Sequence, residues 1–247
     1  MIFATGDTHG NFLRFDKKYF LERDELSCSD HVIICGDFGG VWDGSKKENH
    51  MLDELDAASF TTLWVDGNHE NYDRLRRYPT EEWHGGKVQR IRPNIIHLMR
   101  GQVYEIEGCT FFTMGGASSH DIDDGILNPH APDFEEQYWM MRRMGARFRV
   151  NHRSWWKEEL PSDAEYAEAI ANLDRVNWRV DYVITHCAPT GLLNLIGRGY
   201  TPDRLTNFLD MVSKRLEFHY WLFGHYHDNR AIGQNYILIY EQIAQVI

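Results

Sequence analysis

Short apolar runs alternate with amphipathic segments along the first third of the chain. The runs in MIFAT, HVIICGD and TTLWVDGNHE have the length and the β-branched and aromatic content of buried strands. The stretches FLRFDKKYFLERDEL and SKKENHMLDELDAASF between them have helical spacing, so both predict helices. Buried strands that are separated by helices favour a largely parallel sheet.

The pattern changes after the tripeptide GGK. The next apolar runs, KVQRI, NIIHLM, QVYEIEG and CTFFTMGG, are separated by turn residues and not by helices. Such a hairpin-rich segment predicts a second or extended sheet. Residues 118–180 are polar, aromatic and helical in pattern, and we predict that they form an inserted helical lid segment.

The last part of the chain returns to strands and helices. DYVITHCAP and YWLFGHYHD predict strands, PDRLTNFLDMVSKRL predicts the helix between them, and the remaining residues predict a closing hairpin. Because no internal repeat, low-complexity segment or linker interrupts the pattern, we predict one α/β domain spanning residues 1–247.

Five of the predicted strands end in side chains that can bind a metal. These are Asp7 with His9, Asp37, Asn68 with His69, His186, and His225 with His227. Taken singly, a Gly-Asp pair is an ordinary turn, and a lone histidine is an ordinary core residue bonded to a carbonyl group. Because ligands bind beyond the carboxyl ends of strands in open α/β sheets, one metal centre explains all five clusters together.

The types of side chain indicate which metals such a centre takes. Carboxylate, imidazole and amide oxygen ligands suit Mn²⁺, Fe, Zn²⁺ or Ni²⁺. Seven candidate ligands, all but His69, are too many for one tetrahedral ion, and they suit two divalent ions that share a carboxylate. Two ions about 3.5–4 Å apart form the clamp used for in-line displacement at phosphorus.

Composition and charge exclude several other classes of function. The net charge of −11 argues against non-specific binding to nucleic acid, so a nuclease would need a basic groove that this charge does not indicate. The four cysteines have no Cys-x-x-Cys spacing, which argues for reduced thiols and against a thiolate zinc site. Without a signal-peptide pattern or a membrane-length apolar run, we expect a cytoplasmic protein that does not bind membranes.

The motifs GDTHG, GDFGG, GNHE, THCAP and GHYH stand in the order and spacing of the calcineurin-like metallophosphoesterases. The chain resembles that family from Asp7 to His227. The resemblance implies a four-layer α/β/β/α sandwich of two mixed sheets, and hydrolysis of phosphomonoesters or phosphodiesters with two metal ions. It further implies that Asp7, His9 and His227 bind the first ion, that Asn68, His186 and His225 bind the second, and that Asp37 bridges both.

By the same resemblance, His69 faces the substrate and is the catalytic side chain, with a metal-bridging hydroxide as the nucleophile. The rival interpretation is a metal-binding scaffold without activity, such as the retromer subunit of this fold. Such scaffolds typically lose this histidine or several ligands, and this chain keeps all of them.

One departure weakens an assignment as a protein phosphatase. Gly40 and Val41 stand where those phosphatases carry the Asp and the Arg of Gly-Asp-x-x-Asp-Arg-Gly. The acid that orients His69 is then Asp43, Glu70 or none. Arginines that grip phosphate must come from another segment.

The predicted lid offers such arginines. GGASSHDIDDGI carries His120, and MMRRMGARFRVNHRSWW carries five arginines among aromatic residues. We predict that the substrate-binding residues are His120, Arg142, Arg147 and Arg153, which suit a phosphate ester with an aromatic or nucleoside part. The alternative is that Trp155 and Trp156 are packing anchors and that the arginines form a solvated face.

Overall fold

The computed structural model describes the whole chain, residues 1–247. Its β-strands lie at Ile2–Thr5 (β1), His31–Ile34 (β2), Thr61–Trp64 (β3), Thr80–Trp83 (β4), Gly86–Arg92 (β5), Ile95–Leu98 (β6), Gln102–Ile106 (β7), Cys109–Met114 (β8), Ile126–Leu127 (β9), Arg149–Val150 (β10), Tyr182–Thr185 (β11), Tyr220–Phe223 (β12), Arg230–Ile232 (β13), Tyr236–Leu238 (β14) and Ala244–Gln245 (β15). Its α-helices lie at Lys46–Asp56 (α1), Tyr72–Leu75 (α2), Phe134–Met144 (α3), Asp163–Arg175 (α4), Leu193–Ile196 (α5) and Arg204–Arg215 (α6). Short 3₁₀ helices lie at Leu13–Phe15, Leu21–Glu25, Lys157–Glu159 and Thr190–Leu192.

The first sheet has seven strands in the order β15-β1-β2-β3-β6-β5-β4. Its central neighbours β1, β2, β3 and β6 are parallel. The strands at its two edges, β15 on one side and β5 with β4 on the other, pair antiparallel. The carboxyl ends of β1, β2 and β3 therefore lie side by side, and the residues that follow them meet at one edge of the sheet.

The second sheet has six strands in the order β13-β14-β12-β11-β8-β7. Here β8, β11, β12 and β14 are parallel, and the outer strands β7 and β13 pair antiparallel. The hairpin-rich segment is thus divided between the sheets, since β5 and β6 extend the first sheet while β7 and β8 belong to the second. The prediction of a mixed α/β protein with two sheets is confirmed.

Three hydrophobic cores hold these elements together. The core between the sheets contains residues of both, among them Ile33 and Leu63 from the first and Phe111 and Ile184 from the second. A second core lies between the first sheet and α1 with α2, and a third lies between the second sheet and α4 with α6. The order of layers is therefore helices, first sheet, second sheet, helices.

The predicted helix in FLRFDKKYFLERDEL is wrong. Two 3₁₀ helices replace it, because Phe15 and Phe20 are both buried in the core between the first sheet and α1 with α2, which we call the outer core of the first sheet. Residues five positions apart do not share a face of an α-helix, so both rings reach one core only if the chain turns between them. The Asp16 carbonyl makes that turn by accepting from the backbone N–H groups of Tyr19 and Phe20.

Residues 118–180 divide into two parts. Leu127, Phe134 and Val150 form a small core of their own around α3. Helix α4, by contrast, contributes Tyr166 and other residues to the core of the second sheet. We use the name α3 segment for residues 120–155, which precede α4.

Trp156 fixes the end of the α3 segment to the first sheet. Its side chain is buried in the outer core of that sheet, and its indole N–H donates to Asp73 Oδ2 at 2.7 Å. The same carboxylate oxygen accepts from His152 Nδ1 at 2.7 Å. These contacts favour the interpretation of Trp156 as a packing anchor.

Candidate metal centre and substrate site

All seven predicted metal ligands and His69 lie at the adjoining carboxyl edges of the two sheets. Asp7 and His9 follow β1, Asp37 follows β2, Asn68 and His69 follow β3, His186 follows β11, and His225 and His227 follow β12. The site is therefore assembled from both sheets.

One group of side chains forms around Asp7. His227 Nε2 lies 3.1 Å from Asp7 Oδ2 and 3.3 Å from His9 Nε2. Asp7, His9 and His227 offer one ligand atom each within a space that a single metal ion can occupy. The Tyr240 ring stacks on the His227 ring with 4.4 Å between centroids, which holds that imidazole in its orientation.

A second group forms around His186. Its Nε2 lies 3.3 Å from Asp37 Oδ1 and 3.3 Å from Asn68 Oδ1. Its Nδ1 donates to the Cys35 carbonyl oxygen at 2.8 Å, so Nε2 is the nitrogen that faces the other side chains. Asp7, Asp37 and His186 also form a metal-capable group.

Asp37 faces both groups with different oxygens. Its Oδ1 lies 3.3 Å from His186 Nε2, while its Oδ2 lies 3.8 Å from His9 Nε2. Ligands bound to one ion at about 2.0–2.2 Å lie about 3–3.5 Å from one another. The ligand atoms within each group lie 3.1–3.3 Å apart, so the side chains of one group are close enough to bind the same ion.

The charge balance of the cluster also fits divalent ions. Asp7 and Asp37 are buried, and their carboxylates pair only with histidines. Burial opposes the charge on His186, but Asp37 and Asp7 together raise the pKa of His186 to about 10. A proton on His186 thus supplies positive charge that buried carboxylates require, and a bound cation would supply it instead.

Four of the predicted ligands have left-handed backbone conformations. The φ angles are +46° at His9, +48° at Asp37, +69° at His225 and +49° at His227. Residues with a Cβ avoid this region at a cost of about 1–3 kcal/mol each, and such strain concentrates at functional sites. Hydrogen bonds offset part of this backbone strain. The Asp37 carbonyl accepts from the His9 N–H at 2.8 Å, and Asp7 Oδ1 accepts from the His225 N–H at 3.0 Å.

Glycines leave room for the side chains to converge. A Cβ at Gly67 would overlap the Asp37 carboxylate, and a Cβ at Gly224 would overlap the Asp7 carboxylate. Each glycine directly precedes a predicted ligand, Asn68 or His225. The Gly-Asn and Gly-His pairs therefore have a steric cause.

His120 is brought to the cluster by the loop after β8. Its Nε2 lies 2.7 Å from His225 Nε2, and the His225 ring in turn lies 4.9 Å from the His186 ring. Burial, followed by the charges of His186 and His120, lowers the pKa of His225 well below its ordinary value. The structure thus places one predicted substrate-binding residue at the edge of the candidate metal centre.

A family model described as calcineurin-like phosphoesterase matches residues 1–229 of this chain. The chain belongs to the calcineurin-like phosphoesterase family. That membership confirms the resemblance seen in the five motifs and supports metal-dependent phosphoesterase activity in general. No curated protein matches the chain.

None of its helices has both the length and the apolar character needed to cross a membrane.

In this calcineurin-like phosphoesterase, His69 adjoins the predicted ligands without lying among them. Its backbone N–H donates to Asp37 Oδ1 at 2.8 Å, and its ring packs edge-on against the His9 ring at 5.2 Å. Burial lowers the pKa of His69; the charge of Asp37 opposes this shift, while Arg149 and Asp121 act in opposite directions.

Neither acid considered for orienting His69 contacts its ring. Glu70 instead accepts from the backbone N–H groups of Phe38 and Gly39 at 2.7 and 3.3 Å, so it supports the loop that carries Asp37. Asp43 accepts from the Ser45 N–H at 2.7 Å. Among the alternatives of Asp43, Glu70 or none, the contacts favour none.

The predicted substrate-binding arginines are not gathered at one point. Arg153 stacks over the Phe134 ring at 5.1 Å, inside the α3 segment. Arg147 pairs with Asp123 at 2.6 Å and also donates to the His120 carbonyl. Arg142 is exposed, and it lines a cleft of about 390 Å³ together with Arg147 and Arg149.

Arg149 is not among the predicted substrate-binding residues, yet it lies close to the candidate metal centre. Its Nε donates to Asp121 Oδ1 at 3.0 Å, and a second guanidinium nitrogen donates to Oδ2 of the same carboxylate. Of the five arginines in the α3 segment, Arg149 is the one whose charge acts on His69. In the short extended stretch ARFRV, Arg149 stands two positions after Arg147. Because alternate residues of an extended chain share a face, the prediction of Arg147 could have been extended to Arg149.

Proposed function

We propose that this protein is a dinuclear metal-dependent phosphoesterase that hydrolyses phosphomonoesters or phosphodiesters. The observation that carries the proposal is the position of Asp37, with Oδ1 3.3 Å from His186 Nε2 and Oδ2 3.8 Å from His9 Nε2. A carboxylate with one oxygen toward His186 and the other toward His9 suits a bridge between two ions.

In this proposal the chain holds two divalent ions of the Mn²⁺, Fe, Zn²⁺ or Ni²⁺ type. Asp7, His9 and His227 would hold one ion, Asn68, His186 and His225 would hold the other, and Asp37 would be a ligand of both. When bound, the ions would lower the pKa of a bound water and offset the charge of the phosphoryl oxygens.

His69 is the proposed catalytic side chain. Its backbone contact with Asp37 and its ring contact with His9 support a position beside the substrate, where the imidazole is not needed as a ligand. There it would donate a proton to the leaving oxygen or a hydrogen bond to the phosphoryl group.

The test of this function is hydrolysis of p-nitrophenyl phosphate and bis(p-nitrophenyl) phosphate by the Mn²⁺-loaded protein. We expect turnover of at least one ester, and its loss in excess EDTA with recovery when Mn²⁺ is restored. Absence of turnover across a broad ester panel, with two ions bound, would instead identify a metal-binding scaffold.

Substrate recognition is proposed for His120 and Arg149. His120 contacts His225, and the guanidinium of Arg149 is held in a fork on Asp121 with 23% of its side chain exposed. An arginine that is both oriented and partly accessible is suited to bidentate recognition of a phosphate group.

We expect Arg149→Ala to lower kcat/KM by about 10- to 100-fold, the loss typical of a charge-assisted hydrogen bond, while metal content stays at the wild-type value. The matched control is Arg153→Ala, because Arg153 lies in the same segment but stacks on Phe134. Steady-state kinetics and elemental analysis measure both quantities. Equal losses in the two variants would mean that the segment acts only through its packing.

A further inference from the structure

We propose that Ser119 and Glu159 are positioning residues that determine which atom of the Asn68 side-chain amide faces the metal centre. This inference rests on the proposed function, with Asn68 as a metal ligand. It concerns residues outside the ligand set, from the loop after β8 and from the 3₁₀ helix at Lys157–Glu159.

A continuous chain of hydrogen bonds joins the three residues. The Ser119 hydroxyl donates to Glu159 Oε2 at 2.6 Å, and the Ser119 backbone N–H donates to Glu159 Oε1 at 3.0 Å. Asn68 Nδ2 donates to Ser119 Oγ at 3.4 Å. All three residues are buried, with exposures of 8% for Ser119, 3% for Glu159 and 6% for Asn68, so bulk water does not compete.

The direction of this chain follows from the hydrogen-bonding capacity of each group. An ionised carboxylate only accepts, and a serine hydroxyl has a single hydrogen to donate. Burial raises the pKa of Glu159, but the hydrogen bonds from the Ser119 hydroxyl and N–H oppose that shift and favour the ionised form. Since Ser119 gives that hydrogen to Glu159, its oxygen has only lone pairs left for Asn68. The Asn68 amide must therefore turn its NH₂ group toward Ser119, which leaves Oδ1 facing His186 Nε2 at 3.3 Å.

This orientation matters because the two ends of an amide have nearly the same shape and opposite polarity. A rotated Asn68 would present N–H hydrogens to a cation, and it would no longer be a ligand. Groups that orient metal ligands typically account for about 10- to 100-fold in metal affinity.

The backbone around Glu159 is itself held in place. The Ala117 N–H donates to the Glu159 carbonyl at 3.1 Å, and the buried Arg100 guanidinium donates to the Glu158 carbonyl at 2.8 Å. The carboxylate therefore approaches Ser119 from a fixed direction. The chain on either side of the α3 segment is in this way connected to Asn68, a proposed ligand of the second ion.

The experiment measures Mn²⁺ binding by titration calorimetry, with no substrate present. We expect Ser119→Ala and Glu159→Gln to weaken the binding of one ion by about 10- to 100-fold and to leave the other near its wild-type affinity. Glutamine has the shape of glutamate but also donates, so it removes only the constraint on direction. Ser119→Thr keeps the hydroxyl and should restore near wild-type binding.

The decisive comparison uses Asn68→Asp. Aspartate presents an oxygen in either orientation, so Ser119→Ala should change Mn²⁺ affinity by less than about threefold in that background. Equal losses in the wild-type and the Asn68→Asp backgrounds would overturn the inference, because they would indicate a general loosening of the loop. Wild-type affinity in both Ser119→Ala and Glu159→Gln would also overturn it.

Titration of the wild type separates this inference from the proposed function. Fewer than two bound ions would overturn the dinuclear centre and the inference together. Two ions, with unaltered affinity in the variants, would overturn the inference alone. Two ions with the expected losses, but no turnover of any ester, would leave the inference standing and remove the proposed enzyme activity.

Discussion

His69→Ala is expected to keep both metal ions and to lower the rate of ester hydrolysis by about two to four powers of ten. Metal binding survives because the contact between His69 and Asp37 uses the backbone N–H, which alanine retains, at 2.8 Å in the wild type. The rate falls because the imidazole is lost as a proton donor or as a stabiliser of phosphoryl charge. Elemental analysis and kcat with saturating Mn²⁺ measure the two effects separately.

The leaving group distinguishes the two roles of His69. If the ring donates a proton, the loss should be small for p-nitrophenolate, which leaves without protonation, and large for an alkyl or ribose leaving group. If the ring stabilises the phosphoryl oxygens, both substrates should lose rate equally. His50→Ala is the control, since His50 lies on α1 with 76% of its side chain exposed. Wild-type activity of His69→Ala on every ester, with both ions bound, would overturn the mechanism.

Asp37→Ala is expected to remove both ions, whereas His227→Ala should mainly weaken one. The difference arises because Asp37 has an oxygen toward each group, while His227 contacts only Asp7 and His9 among the predicted ligands. Dialysis against a defined concentration of Mn²⁺, followed by elemental analysis, should give about two ions per chain for the wild type.

Asp37→Asn controls for shape in this experiment. The asparagine keeps an oxygen for the His69 N–H, yet it has only one oxygen to offer to an ion. Retention of one ion at wild-type affinity in Asp37→Ala would show that Asp37 serves a single site. One ion or none in Mn²⁺-supplemented wild type would contradict the dinuclear centre.

The sequence indicated that the predicted metal ligands lie together, because the relevant signals are local. Asp7, Asp37 and His186 each follow an apolar run closely, and the geometry of parallel strands brings such positions to one edge. The left-handed φ angles at His9 and Asp37 have no comparable signal, because neither residue type requires that conformation.

The contacts of the predicted substrate-binding residues Arg147 and Arg153 were not evident from the sequence, because both residues lie outside regular helices and strands. Arg149 and Arg153 look equivalent in the sequence, yet the backbone turns between them at His152, where φ is +55°. Beyond this turn the Arg153 guanidinium stacks over the Phe134 ring, whereas Arg149, before the turn, is hydrogen-bonded to Asp121. Spacing along the chain specifies a direction only where the secondary structure is regular.

The same limit applies to the relation of Ser119 to Glu159. Forty positions separate them, and each stands in a loop or a single 3₁₀ turn, where no periodic pattern indicates a partner. The hairpin-rich segment was ambiguous for a different reason. The runs that form β5 and β6 have the same turn-bounded pattern as those of β7 and β8, so pattern alone did not assign them to different sheets.

The origin of the site in two sheets has a thermodynamic consequence. Asp7 and Asp37 belong to the first sheet and His186 to the second, and the same two sheets meet through a core that includes Ile33 and Ile184. An ion held by ligands of both sheets would add its binding free energy to the stability of the packed arrangement, and by reciprocity a core substitution that shifts one sheet against the other would alter the affinity for the ion. If the proposed centre is correct, a substitution far from any ligand would then change the metal requirement of the protein.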